Sequence, residues 1–443
     1  MFSTRSPLLK ILVGIILIVS LALGILIIPN LAIFDEAQLP EITEHLRKQA
    51  NPNIEGNALY SLYGINAATN KDMETVGKAV VKRLQEKHGK GQFAHLTAAE
   101  TLELYGDGES LDKEWSDMYP ASQCNARLKA NCFTELLAEI SGKPFTHPRL
   151  LAQFERYKQI IKMPHLIEET RLMDYKSPVP PYGQMMQLGK LNQAKAYEQQ
   201  GLEGLLASSK EDMRFWRMAL TDSQIMIGRM VAIASLRRNL SAISYVISKE
   251  AVISSDQTKA LQALLIPLTA DETDMEKVLT AELRFSAENW KTAPKEFIEG
   301  SSVILATLYQ PTASSNWFYR QTLKPVFAFN KMSASEFYER AQAATQPLEF
   351  SRFNPYNLGG KISQSQNWQY APYIGRSHDL AGIYSLVGLQ LELKTNPPQN
   401  IAEAIKTSAY KNPYTKKPFD YDATTKSLSF RCFEAKDECK ISL

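Results

Sequence analysis

Four cysteines and six histidines in 443 residues are too few and too scattered for most metal or thiol chemistry. Neither cysteine pair has the Cys-x-x-Cys spacing of a structural zinc site, and no His-Glu-x-x-His puts two imidazoles on one helical face. A Gly-x-Ser-x-Gly, a P-loop and a dinucleotide-binding glycine fingerprint are also missing, which excludes the common nucleophile elbows and phosphate cradles. Gly359-Gly360-Lys361 alone is too short to cradle a phosphate. An excess of one charge is lacking too. Lys and Arg number 50 against 47 Asp and Glu, and a net +3 gives no electrostatic footing for nucleic acid. No dense basic cluster marks a site for anionic lipid. No cofactor, metal or catalytic residue is expected on these grounds.

What is present starts near the N-terminus. Ile11 to Ile28 is an almost unbroken run of Ile, Leu, Val, Ala and Gly, with one hydroxyl at Ser20 and no charge. About 18 apolar residues at a helical rise reach most of the way across a hydrocarbon core of roughly 30 Å, and Leu31 to Phe34 extend the run. A backbone in lipid must satisfy its own polar groups, so 11–34 is read as a transmembrane helix and 1–10 as a cytoplasmic N-terminus. The flanks set the orientation. Arg5 and Lys10 precede the run, whereas Asp35, Glu36, Glu41 and Glu44 follow it before the first basic residue, Arg47, so the body is expected outside. A cleaved signal peptide is the competing reading, but its apolar region usually spans about 7–15 residues. Here Ile25 to Ile28 continue past the nearest small-x-small site, Ala22-Leu23-Gly24. No acidic residue sits near the start of the run, which excludes a prepilin-type leader.

In an oxidising compartment the cysteines read as two disulfides, Cys124 with Cys132 and Cys432 with Cys439. One continuous helix would hold Cys124 and Cys132 roughly 12 Å apart, too far to bridge. The bond is therefore expected to clip a loop onto the start of a helix Cys132–Ile140, with Asn131 as its N-cap.

Removing the anchor leaves about 400 residues, 44% of the whole chain being hydrophobic and 22% charged, enough for a real core. The fold class expected is mainly α: an antiparallel helical bundle or short solenoid-like body ending in a small β-hairpin. A polar helix is expected from Asp35 to about Ala50. Met73, Val76, Val80 and Leu84 place a helix over Lys71–His88, capped by Asn70. Pro148 opens another, with Leu151, Phe154, Tyr157 and Ile161 on one face. Prolines 178, 180 and 181 make Ser177 to Gly183 an extended connector, which divides the body into helical subdomains 35–176 and 184–443. Within the second, Leu191 to Leu220 reads as a loose tetratricopeptide-type hairpin interrupted at Gly201 and Gly204. The full repeat signature is absent, so a plain antiparallel helix pair is favoured. Further helices are expected over Met226–Ile247, Asp271–Trp290, Lys324–Ala344 and Leu380–Leu391, with a long loop over Pro347–Tyr373. Phe419–Tyr421 and Ser427–Phe433 suit the hairpin, bridged at its last turn by Cys432 and Cys439.

His378-Asp379-Leu380, Asn396-Pro397-Pro398, Lys411-Asn-Pro-Tyr-Thr-Lys-Lys-Pro-Phe-Asp-Tyr421 and Ser427-Leu-Ser-Phe430 together carry a likeness. With the cysteine pair beside the helix around Arg156-Tyr157, and Asn354-Pro355, they resemble uncharacterised single-pass, membrane-anchored periplasmic helical proteins of Gram-negative bacteria. The Asn-Pro-Tyr-Thr turn is loosely like a pseudopilin tail. Where that family reads Asp and Gly, this chain has Asn412 and Lys416. The resemblance implies an inner-membrane anchor and a periplasmic body, and carries no activity.

Few residues invite chemistry. Arg376, His378 and Asp379 form the one cluster worth naming as an acid–base candidate, although adjacent helical residues point in different directions. Ser408 and Lys411 match a Ser-x-x-Lys spacing without its usual partner motifs. Glu168-Glu169 reads as a solvated face. Trp317, Phe318, Tyr319, Trp368, Tyr370 and Tyr373 read as core packing beneath long loops, or as the lining of a glycan or peptide groove. The leading expectation is a non-enzymatic interaction or scaffold component of the cell envelope, bound to the bilayer and to an envelope protein partner. The alternative is a peptidoglycan-type hydrolase with an unrecognised site.

Overall fold

Eighteen consecutive positions without a charge form a helix, and the first element, Pro7–Ile27, covers them up to Ile27. The structure is a computed structural model that describes residues 7–47, 50–89, 95–106, 118–124, 132–143, 145–168, 178–299, 306–343, 355–363, 370–433 and 438–443. Arg5, Asn131, Glu169, Asn354 and Trp368 lie outside them. The fold is mainly helical, with a small antiparallel sheet near the C-terminus.

Two compact units divide the chain, and both are discontinuous. One comprises 1–49, 282–328 and 343–370; the other comprises 50–281, 329–342 and 371–443. Residues on both sides of the Ser177–Gly183 connector share the second unit, so the prolines there are an internal joint.

In the first unit, the chain leaving the apolar helix is pinned at once. Buried Asn30 donates to the carbonyls of Leu26 (2.7 Å) and Pro355 (2.9 Å) and accepts from the Asn357 amide (2.6 Å). Asp35 accepts from the backbone amides of Thr312 and Ala313, both at 2.9 Å, and so caps the helix Pro311–Phe318 from a distant part of the chain. Asn316 donates to Glu36 and to the Ala37 carbonyl and accepts from the Leu39 amide. These contacts hold 35–39 out of helix, so the polar helix expected from Asp35 starts only at Pro40 and ends at Arg47. Phe318, Tyr319 and Tyr370 are buried, Phe318 packing edge-on to Trp290 and Tyr370. That is the core-packing reading of the aromatics.

In the second unit, the long helical element Tyr182–Asp222 breaks at Gly201, whose φ of +58° is open to glycine. Gln193 and Ser209, which a straight helix would hold roughly 24 Å apart, are in hydrogen-bond contact at 3.0 Å. The element is therefore the antiparallel pair expected, folded at Gly201, while Gly204 lies within the second arm. Met226–Lys249 packs against it as a third helix, and Ala371–Thr395 packs on that. On Ala371–Thr395, a Cβ at Gly382 would lie 2.4 Å from the Phe430 ring and one at Gly375 would lie 2.4 Å from Phe433, so missing side chains seat the C-terminal rings. Three strands follow, β1 (Asp420–Asp422), β2 (Ser427–Arg431) and β3 (Glu438–Ser442), in the order β1-β2-β3. The expected hairpin thus gains a third strand, with Phe430 opposite Cys439.

Other boundaries move for local reasons. Asp72, not Asn70, caps Met73–Gly89, accepting from the Thr75 amide at 2.8 Å. Leu150 faces the core of Pro148–Ile160 while Leu151 is 43% exposed. Asp274 splits the helix expected over Asp271–Trp290 by accepting from the Glu276 amide at 2.7 Å, so Glu276–Glu299 starts afresh. A break at Ser333 likewise splits Lys324–Ala344 into Lys324–Asn330 and Ala334–Ala343. Within the expected loop Pro347–Tyr373, Leu358–Ser363 is helical.

Candidate functional site

The three packed helices of the second unit bury polar groups at positions where apolar periodicity would put leucines. Asp212, 0% exposed, accepts from the Tyr157 hydroxyl, Arg238 Nη2, Asn239 Nδ2 (2.6 Å) and Trp216 Nε1 (3.1 Å). Gln193 donates to Ser209 and to Asn239. Arg238 also reaches the Met186 carbonyl at 2.9 Å, and a Cβ at Gly189 would lie 2.7 Å from its Nη1, so that glycine makes the space for the guanidinium. A buried carboxylate that takes four donors is a satisfied one.

Arg238 is also part of the wall of a cavity of about 380 Å³ in the same unit. Ser122 to Cys124, the first arm of the hairpin, the third helix and the start of Ala371–Thr395 close around it. Among the described residues its lining holds four cations, Lys190, Arg237, Arg238 and Arg376, and one carboxylate, Asp379. Lys190 donates to the carbonyls of Ser122 (2.7 Å) and Cys124 (2.8 Å). Burial, with the Arg238 charge adding to it, pushes this ammonium down to about 8. Met186, Met230, Ile233 and Leu380 supply an apolar wall.

The sequence-predicted trio is pulled apart. Asp379 accepts from the Tyr414 hydroxyl (2.6 Å) and the Phe433 amide (2.9 Å), which ties the C-terminal segment to the helix. His378 faces another way, its ring 5.2 Å from Phe337, and burial, with Lys416 adding, pushes its imidazole down to about 4. Arg376 lies over the Tyr373 ring at 5.1 Å. Arg376 and Asp379 meet at the cavity; His378 is not part of its lining.

Both expected disulfides are formed, with Cα–Cα distances of 5.4 Å for Cys124–Cys132 and 5.6 Å for Cys432–Cys439. The Asp379 carboxylate lies within 4.8 Å of both Cys432 and Cys439 sulfurs, but sulfurs bonded to each other are not the thiolates a metal needs. Ser408 bonds Glu392 at 3.1 Å while Lys411 donates to the Lys406 carbonyl, so the Ser-x-x-Lys spacing makes no dyad. Glu168 corrects the solvated-face reading: it is buried, accepts from Tyr182 (2.6 Å), Ser223 (2.7 Å) and the Gln224 amide (2.6 Å), and burial raises its pKa. In the tail turn, Lys416 adopts φ +57°, where the resembled family carries glycine, and Asn412 Oδ1 accepts from the Tyr414 amide at 2.9 Å.

Lys190, Arg238 and Ser122 escaped sequence reasoning. The one available signal was Arg237-Arg238-Asn239 interrupting the apolar row of a core helix.

Together these features define a mainly helical protein with two disulfides and a basic cavity; among the described residues, one helix, near the N-terminus, is long and apolar enough to cross a membrane. No protein-family model, curated protein or solved structure matches the chain.

Proposed function

We propose that this chain is a single-pass inner-membrane protein, N-terminus in the cytoplasm and body in the periplasm, acting as a non-enzymatic interaction or scaffold component of the cell envelope. One observation carries the reading. Within Leu9–Asn30 the most apolar window of 18 residues has a mean hydropathy of 3.3 and is 0% buried. A helix apolar on every side and left unburied by the described residues is suited to another apolar solvent, and lipid is that solvent. Two disulfides support an oxidising compartment. The pinning of 30–39 supports a scaffold role, because a span joined without slack to a folded unit transmits position as well as tethering it.

A peptidoglycan-type hydrolase is the second reading, and the cavity favours it to one degree: it brings a depressed lysine to the same wall as Ser122. Against that, Lys190 addresses the Ser122 carbonyl and makes no hydrogen bond to the hydroxyl a nucleophile would use. Crosslinking the tagged chain in intact cells at native expression, then identifying what co-purifies, tests the proposal. A specific envelope partner is the expected result. Recovery of none, with release of soluble fragments from purified peptidoglycan, would replace the scaffold reading with the hydrolase.

A further inference from the structure

We propose that the cavity lined by Lys190 and Arg238 is a binding site for a small amphiphilic oxyanion, a molecule carrying a carboxylate or phosphate beside a short apolar portion. The inference goes beyond location and partner, and stands on the cavity's own walls. Lys190 spends two of its three N–H donors on carbonyls and meets no carboxylate among the described residues. A half-buried ammonium without a counter-charge is unfavourable, and an incoming oxyanion supplies both the charge and the acceptor for the third donor.

Two further wall residues carry buried polar atoms with no hydrogen-bond partner among the described residues: Ser122 Oγ, in a residue 0% exposed, and Arg238 Nε, in one 6% exposed. Each atom exposes less than 1 Å², so it reaches an acceptor in the cavity only through a small side-chain turn, and both can donate when they do. Arg237 and Arg376 add two guanidinium groups to the same wall, whereas Asp379, the one carboxylate there among the described residues, already takes two donors on Oδ1. A cationic ligand would meet the wrong sign. Met186, Met230, Ile233 and Leu380 supply apolar surface that a bare inorganic anion would leave uncovered. A volume of about 380 Å³ lies in the range of small-ligand sites. The lowering of the Lys190 pKa to about 8 agrees with a cation lacking its counter-ion.

The test uses the full chain in phosphatidylcholine nanodiscs, titrated calorimetrically with hexyl phosphate, inorganic phosphate and hexanol. Hexyl phosphate is expected to bind saturably, roughly tenfold or more tighter than either comparator. Lys190→Gln is expected to weaken it by roughly the same factor. That lysine also holds the Ser122 and Cys124 carbonyls, so Met230→Glu is the second variant: it leaves the clamp in place, adds a negative charge to the wall and is expected to abolish binding. Thermal melts of both variants check that they fold.

Nanodiscs of phosphatidylglycerol separate the two sources of such an anion. Weakened hexyl phosphate binding there assigns the site to a lipid headgroup, and unchanged binding assigns it to a soluble anion; either supports the site. Failure of hexyl phosphate to bind the folded parent, binding no tighter than hexanol, or equal binding by both folded variants overturns the proposal. Inorganic phosphate binding as tightly as hexyl phosphate overturns its amphiphilic part. Because the titration is independent of where the protein resides, its failure leaves the topology reading standing, and the reverse also holds.

Discussion

Asp212 shows how a single residue can fix a helical core. Its carboxylate is the common acceptor for Tyr157, Trp216, Arg238 and Asn239, from three separate stretches of chain. Removing it leaves a buried guanidinium uncompensated, so Asp212→Ala is expected to lose roughly 3–5 kcal/mol in chemical denaturation. Asp212→Leu paired with Arg238→Met is expected to recover much of that, because an apolar pair of similar size needs no partner. His378 gives a pH signature. Its imidazole is held near 4, below the ordinary 6.5, so the unfolded chain takes up a proton that the folded chain refuses between those values. Stability is expected to fall as pH drops from about 6.5 to about 4, by up to roughly 3 kcal/mol, and His378→Leu is expected to flatten that slope. Neither role was legible in the sequence. Hydrophobic periodicity marks which positions face inward; it does not say which inward polar side chains will find one another.

At the scale of the element, patterns that carry their own physical cause were readable. An uncharged run became the helix Pro7–Ile27, and the helix Cys132–Ile140 has the bounds expected of it. The pairing of Cys124 with Cys132 and of Cys432 with Cys439 followed from their closeness in the chain. Closing loops of this size stabilises by about 2–3 kcal/mol each, so the purified chain is expected to resist thiol labelling until reduced and to melt lower afterwards. Four readily labelled thiols in unreduced protein would contradict this. Gly201 is the other legible element, since its φ of +58° with ψ −143° suits only glycine. Gly201→Ala is expected to lose about 1–3 kcal/mol through backbone strain. What stayed hidden was set from far away in the sequence. The start of the helix at Pro40 depends on amides of Thr312 and Ala313, and no local propensity encodes a partner 277 residues distant.

For the whole molecule, the division into units shows the same limit. A proline-rich stretch reads as a boundary because it breaks helices, yet residues on both sides of 177–183 share one unit while the first unit is assembled from three separate pieces of chain. Discontinuous units follow from long-range pairing such as Asn30 with Asn357, which composition does not reveal. The cavity likewise draws on segments more than 200 residues apart. At this scale the proposed membrane anchor rests on a helix whose most apolar window of 18 residues has a mean hydropathy of 3.3 and is 0% buried among the described residues. Arginine at Leu17 and Leu21 together is expected to cost about 5–7 kcal/mol of insertion and to shift the chain out of the membrane fraction. The most direct measurement is protease added to spheroplasts of a Gram-negative host, with the body followed by an antibody to its C-terminus. Digestion of the body without lysis, with a short N-terminal fragment protected, is the result the account predicts. A body left intact until the membrane is dissolved, or a mature chain that begins beyond Phe34, would contradict it.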